Sequence, residues 1–325
     1  MSGTSPRMRV GVFGAGGVGG YLGGRLAQSG QEVVFIARGA HVEALRARGL
    51  EVRSVKGDFS LPAVAATDDL REAGPVDVVL VAVKSWQLDR AARDMPPLLG
   101  PETFVVPFLN GVECTAHLSV QLGEERVLKG TARIISHIAA PGRIDHVGVD
   151  PSVAFGEADN RQSARCRQLR GVFQAAGIRA DLPDDMDATL WKKFLMVATL
   201  GGLGAVTGVP VGMMRSEPET RRLLRQAMEE IARVGRARGV ALEDDVAESS
   251  MAFVDGLPAE GMASLHRDIV AGRRSELEAW NGAVVRLGRE ARVPTPLHDF
   301  IYGALLPRER LARKAGTALQ NGPGA

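Results

Sequence analysis

The feature that most constrains this chain is a glycine loop set between a short apolar strand and a helix. Val10–Phe13 is continuously apolar, Gly14-Ala15-Gly16-Gly17-Val18-Gly19 follows without a spacer, and a helical pattern begins at Gly20. A lone GxGxxG is a weak signal. One that leaves a strand and opens a helix has a mechanism behind it. The first glycine permits a tight turn, the second lets backbone approach a pyrophosphate, and the third lets the helix pack on its strand, with the anion at the positive helix end. Gly23, one turn beyond Gly19, extends the close-packing face.

The rest of the chain fits that start. Val33–Ala37 and Val76–Val83 have the β-branched texture of strands buried on both faces. Gly20–Ser29, ended by Gly30, and Ala40–Arg48, ended by Gly49, read as crossover helices. This alternation predicts an α/β fold with an N-terminal Rossmann-type, doubly wound parallel sheet. Thr103–Phe108 and Arg126–Ile134 read as further strands, and Arg143–Phe155, turned by Pro141-Gly142, as an antiparallel closure. After Arg161 the periodicity becomes helical over Ser163–Ala176, Met186–Leu200, Pro218–Arg238, Asp244–Phe253, Ser264–Ala271 and Ser275–Ala291. A C-terminal all-α domain is therefore expected, with the break near Asp184: residues 1–184 bind nucleotide and 185–325 bind substrate. After Pro307 a short basic helix is expected, with disorder from about residue 313.

The second strand decides which nucleotide. An NAD-binding chain usually ends it with an acid on the ribose hydroxyls, whereas here it ends Phe35-Ile36-Ala37-Arg38-Gly39. An arginine at that point can clamp a 2′-phosphate, which favours NADP(H). A solvated surface arginine is the plainer alternative.

Composition narrows the partners. The 40 basic and 38 acidic residues are interspersed and leave a net charge of +2, so no broad basic field for nucleic acid is present. Cys114 and Cys166 are too few for a disulfide framework or a cysteine-based zinc site, and they fit a reducing cytoplasm. No export signal is visible between Met1 and Arg9. Phe194–Met214 carries no charge and is long enough to span a bilayer, but five glycines and Pro210 make it read as a buried helix and turn, with no membrane partner. Apolar faces on a helical domain often support a homodimer.

Several motifs together resemble the ketopantoate reductase (2-dehydropantoate 2-reductase) family. Beyond the glycine loop, these are Val83-Lys84-Ser85-Trp86-Gln87, Leu109-Asn110-Gly111-Val112, Leu190-Trp191-Lys192-Lys193-Phe194, and Ser264-Leu265-His266-Arg267-Asp268 followed by Gly272–Glu278 and Asn281-Gly282. The resemblance implies NADPH-dependent reduction of a small 2-oxo acid. It makes Lys193 the catalytic acid, with Glu276 opposite it to orient the lysine or bind a substrate hydroxyl or the cofactor ribose. It also has Ser264 bind the substrate carboxylate, and it sets Lys84, Asn110 and, more weakly, Ser136 against the cofactor, with Asn110 also reaching the substrate.

The residues support a role for Lys193 independently. A carbonyl reductase must supply a proton or positive charge to the oxygen, and no histidine is well placed for it. Asp185 or Asp187 can cap the helix, placing Lys193 in its early turns. Positions 193, 197 and 201 share a face reading Lys193, Val197, Gly201, so the lysine is its sole polar group. Lys192 beside it suits an ordinary snorkelling role.

The match fails at specificity. The family pattern places asparagines four and eight residues after its lysine and a third further on, where this chain has Val197, Gly201 and, without gaps, Val211. Losing three amides removes the hydrogen bonds that would recognise a hydroxylated acid. Two substrates stay open: 2-dehydropantoate held by other groups, or a more apolar 2-oxo acid. A β-hydroxyacid-type dehydrogenase lacks its usual mid-chain glycine motif here. A non-catalytic NADPH sensor would need neither Lys193 nor Glu276, and a purely structural helical protein leaves the glycine loop unexplained.

Overall fold

The computed structural model describes residues 7–320, with side-chain surroundings through residue 315. These residues form two compact units that divide between Met186 and Asp187.

The first unit opens β1 (Arg9–Phe13), α1 (Gly17–Gln28), β2 (Glu32–Ile36), α2 (Gly39–Arg48), β3 (Leu50–Ser54), β4 (Phe59–Leu61), β5 (Ala65–Thr67), α3 (Leu70–Ala73) and β6 (Val76–Val81). It continues α4 (Leu88–Asp94), β7 (Leu99–Pro107), α5 (Cys114–Leu122), β8 (Lys129–Ala140), β9 (Arg143–Gly156), α6 (Ala164–Ala175) and β10 (Arg179–Asp181). Strands β5-β2-β1-β6-β7 make the expected parallel sheet. Its centre is buried on both faces: Val10, Val12, Val78 and Leu80 lie in one core cluster, Val34, Ile36, Val79 and Val81 in the other. Strand order reverses direction between β1 and β6, so the glycine loop leaves β1 at the topological switch point, where ligands of open α/β sheets bind.

A second sheet, β10-β9-β3-β4 with β8 on β9, was only partly legible. The β8–β9 hairpin turns at Pro141-Gly142 as expected, with Gly142 at φ 81°. β8 starts at Lys129 rather than Arg126, because Glu124–Arg126 is spent on a 3₁₀ turn. β3 was hidden by charge: Leu50 and Val52 point inward while Glu51 and Arg53 alternate outward, and its partners β4 and β9 supply the pairing.

The second unit takes up α7 (Met186–Thr207), followed by α8 (Val211–Ser216), α9 (Pro218–Ala237), α10 (Val246–Asp255), α11 (Ser264–Val270), a π turn at Glu278–Gly282, α12 (Ala283–Glu290) and α13 (Pro296–Gln320). α9 presents a strongly one-sided apolar face, with Leu224, Met228, Ile231 and Val234 buried. Among the described residues no helix is long and apolar enough to cross a membrane.

Two helix ends differ from expectation. α7 continues past Leu200 through Gly201, Gly202 and Gly204, each of which costs up to about 1 kcal/mol relative to alanine in a helix. Packing explains the glycines: added β-carbons would meet Trp280, the Asn281 amide and the His266 ring at 3.0, 2.5 and 2.8 Å respectively. α13 starts at Pro296 and runs through Pro307 to Gln320, which corrects the expected short helix after Pro307. Its start is fixed by the buried Glu230 carboxylate, which accepts the backbone N–H groups of Leu297 and His298 at 3.0 and 3.1 Å. Pro307 and Gly303, whose carbonyl loses its helical donor, are both exposed, so water can serve that carbonyl. Residues 321–325, expected to be disordered, lie outside the described residues.

Candidate active site

The first unit builds a cradle from strand ends. Gly14 turns the chain at φ 99°, and a β-carbon there would lie 2.9 Å from the Ala82 carbonyl. At Gly19 it would lie 2.2 Å from the Gly14 carbonyl, and at Gly17 2.5 Å from that of Ser136. Gly16 differs: nothing lies within 4 Å of its β-carbon position, so the second glycine faces open space at the start of α1. Ala15 is buried and Val18 half-buried beside it. The Ser136 hydroxyl, on β8 beside Gly17, is buried with no hydrogen-bond partner among the described residues. A closed turn, an open second glycine and an orphaned hydroxyl suit a dinucleotide pyrophosphate at a helix N-terminus.

The remaining residues of this half also lie past strand carboxyl ends. Lys84 follows β6, half-buried, with its Nζ 5.8 Å from the Trp86 ring centroid and its backbone N–H held by Gln87 Oε1 at 3.1 Å. Asn110 follows β7, half-buried, just before Gly111 at φ 111°. Arg38 stands at the N-cap position of α2, two residues past the end of β2, and is about half exposed. Its Nη2 lies 3.4 Å from Asp94 Oδ2, an oxygen that Arg90 also reaches at 3.3 Å. Arg38 is thus held in place by a carboxylate.

In the second unit the candidate residues lie on α7 and on the segment 264–282 packed against it. Lys193 is half-buried in the second turn of α7, with Val197 half-buried and Gly201 buried above it. Lys192 is tied to the exposed Glu243, as suits a surface lysine. Asn281 is fully buried and donates its side-chain amide to the Ala198 carbonyl at 3.1 Å, which fixes the π turn to α7. One turn earlier Glu276 is 7% exposed, and its carbonyl accepts the Trp280 N–H at 3.0 Å. Its neighbour Ser275 is anchored separately: backbone N–H and hydroxyl both donate to buried Glu309 Oε2, at 2.9 and 2.6 Å, while Arg313 pairs with Oε1 at 2.7 Å. Ser264 opens α11, half-buried. Val211 belongs to a different helix, α8, where its N–H bonds to the Gly261 carbonyl at 3.0 Å.

Three residues at or beside these positions were not singled out from the sequence. Trp280 is 1% exposed and lies beside Gly201. His266 is buried against Gly204; burial, then the neighbouring Arg267, holds its imidazole below the usual pKa. His41, on α2, contacts the glycine loop itself, its Nε2 2.9 Å from the Ala15 carbonyl. A histidine three places after Arg38 was the available signal for it. His266 was visible only as a member of the Ser264–Asp268 motif, and Trp280 carries no signal, because it reads as an ordinary core residue until its glycine partner on α7 is known.

Family models describe the same two halves: that of ketopantoate reductase PanE/ApbA matches residues 10–160, and that of its C terminal matches 185–309. A 2-dehydropantoate 2-reductase of Mesorhizobium japonicum is 31% identical over 330 residues, covering 95% of this chain and 99% of its own length. The crystal structure of a PanE/ApbA family ketopantoate reductase from Ralstonia eutropha superimposes with a TM-score of 0.86 at 31% identity, covering 94% of this chain and 100% of that one. A D-mandelate dehydrogenase solved with NADH and anilino(oxo)acetate shares the fold, at a TM-score of 0.86 and 22% identity over 94% of this chain and 99% of that one. With both halves matched and a relative at this identity along almost its full length, the chain belongs to the ketopantoate reductase family.

Proposed function

We propose that this protein reduces a 2-oxo acid to the corresponding 2-hydroxy acid with NADPH, and that its substrate is 2-dehydropantoate, giving pantoate for pantothenate biosynthesis in the cytoplasm. The observation that carries this reading is on α7, where half-buried Lys193 lies on a helical face continued by half-buried Val197 and buried Gly201, while Lys192 pairs with exposed Glu243 at the surface. NADPH, when bound, supplies the hydride for the carbonyl carbon. The Lys193 ammonium donates a proton, or positive charge, to the carbonyl oxygen. The Glu276 carboxylate orients that ammonium or accepts from a substrate or ribose hydroxyl, and the Ser264 hydroxyl donates to the substrate carboxylate. The loop from Gly14 to Gly19 takes the pyrophosphate, Arg38 the 2′-phosphate, and Lys84, Asn110 and Ser136 the rest of the cofactor, with Asn110 also touching substrate.

A second reading, a more apolar 2-oxo acid, is favoured by the Trp280 indole beside Gly201, which puts an aromatic ring next to the position of a family amide. NADPH oxidation against a panel of 2-oxo acids tests both. Fastest turnover of 2-dehydropantoate supports the first, and fastest turnover of a branched or aromatic acid supports the second. No turnover of any acid, despite tight NADPH binding, means a nucleotide-sensing protein instead.

A further inference from the structure

The glycine loop has a support that the GxGxxG pattern does not contain. His41 lies in the first turn of α2 and is half-buried, because it reaches out of its helix to two other chain segments. Its Nδ1 accepts the backbone N–H of Gly142, at the β8–β9 turn, at 3.1 Å. A ring nitrogen that accepts carries no proton, so the neutral ring's proton sits on Nε2, which must donate to the Ala15 carbonyl 2.9 Å away. Burial holds the imidazole below its ordinary pKa, against the opposing pull of the Ala15 carbonyl, which agrees with a neutral ring.

We infer that His41 is a positioning residue for the dinucleotide: as a neutral Nε2–H tautomer it fixes the Ala15 carbonyl and the β8–β9 turn together, so that the loop offers the cofactor its N–H groups. The Ala15 carbonyl is the one next to the open Gly16. An oxygen free to swing toward a pyrophosphate would repel it, and one engaged by an imidazole N–H cannot. The Gly142 turn needs the same support. Its carbonyl already serves the Glu51 N–H at 2.9 Å, and its hairpin brings the Ser136 carbonyl against Gly17 and carries the orphaned Ser136 hydroxyl. One side chain therefore joins α2, the glycine loop and the hairpin beside it.

This inference rests on the dinucleotide reading of the loop, so wild-type NADPH affinity is measured first, by protein-fluorescence titration and by calorimetry. His41→Leu removes both hydrogen bonds, while His41→Gln keeps one donor and one acceptor on a similar reach. We expect the dissociation constant for NADPH to rise about tenfold or more in His41→Leu and to return most of the way in His41→Gln, as for two lost neutral bonds. Turnover at saturating NADPH stays within about twofold of wild type in both variants, since both ring nitrogens are taken up by backbone groups of Ala15 and Gly142. Thermal melts without nucleotide accompany each titration. The inference is overturned if His41→Leu binds NADPH as wild type does, if glutamine fails to restore what leucine loses, or if affinity and apo stability fall in parallel in both variants. Wild-type protein that does not bind NADPH overturns the dinucleotide reading itself, and the inference with it.

Discussion

Trp280 occupies the space into which a side chain at Gly201 would project, its Cζ3 and Cε3 lying 3.0 and 3.1 Å from that β-carbon position, with Leu265 Cβ at 3.2 Å. The two residues are a matched large-small pair. An asparagine at 201 cannot simply be restored: Gly201→Asn is expected to destabilise the protein by about 1–3 kcal/mol through overpacking. Combined with Trp280→Leu, it should cost less than the two single changes added together, because the smaller residue makes room for the amide. Chemical denaturation of the four proteins measures this, and strictly additive costs would show that the pair is not coupled.

Lys193 and Lys192 are adjacent but should behave oppositely. Lys193→Ala is expected to lower kcat by about 10²–10⁴-fold, the range for loss of a positioned proton donor, with NADPH affinity preserved. Lys192→Ala removes only an exposed pair with Glu243, worth about 0–1 kcal/mol, and should leave kcat within about twofold. Equal losses in the two variants would remove Lys193 from the chemistry.

Arg38 sets the cofactor preference if it clamps a 2′-phosphate. Arg38→Ala should then weaken NADPH about tenfold or more, as for loss of a charge-assisted bond, while NADH binding barely changes. Asp94→Asn removes the carboxylate that shares Arg38 and should shift binding in the other direction, toward tighter NADPH. Parallel titrations with NADPH and NADH decide it, and equal losses of both nucleotides in Arg38→Ala would count against the clamp.

Acid should destabilise both units through buried carboxylates. Burial pushes the Glu157 carboxyl up, but hydrogen bonds from Arg165 and Ser163 outweigh it and leave the pKa below the ordinary value. At Glu230 burial also pushes upward, and bonds from His298 and from the backbone N–H groups of Leu297 and His298 again bring the pKa down. A carboxyl with a depressed folded-state pKa contributes stability above its unfolded value, near about 4.3, and that stability is lost as pH falls through the folded value. Glu157→Gln and Glu230→Gln should each flatten the loss of melting temperature below about pH 4.5. Melting curves for these variants that parallel wild type through acid would refute it.

The sequence displayed the parallel sheet because its strands are short, β-branched and punctuated by glycine, and it displayed the loop because GxGxxG has a strand before it and a helix after it. β3 escaped because Glu51 and Arg53 dilute its apolar signal, and pairing with β9, some ninety residues away, supplies what local pattern does not. Helix ends failed for a related reason. Gly201–Gly204 and Pro307 read as breaks, yet α7 continues where Trp280, Asn281 and His266 need room, and α13 continues where its proline faces solvent. Lys193 was marked as a candidate by the Trp191–Phe194 motif and by helical spacing. His41 and Trp280 were not, because their importance lies in partners distant in sequence.

The hairpin that braces the glycine loop has a further consequence for how the protein is made. The loop is complete at residue 19, yet Ser136 and Gly142, which pack or bond against it, are synthesised more than a hundred residues later, and β9 must then pair with β3. Such non-local closure is slow compared with local helix formation. During translation the glycine-loop cradle therefore stays unfinished until most of the first unit has left the ribosome, so a fragment ending before β8 has the whole glycine motif but not the scaffold that shapes it.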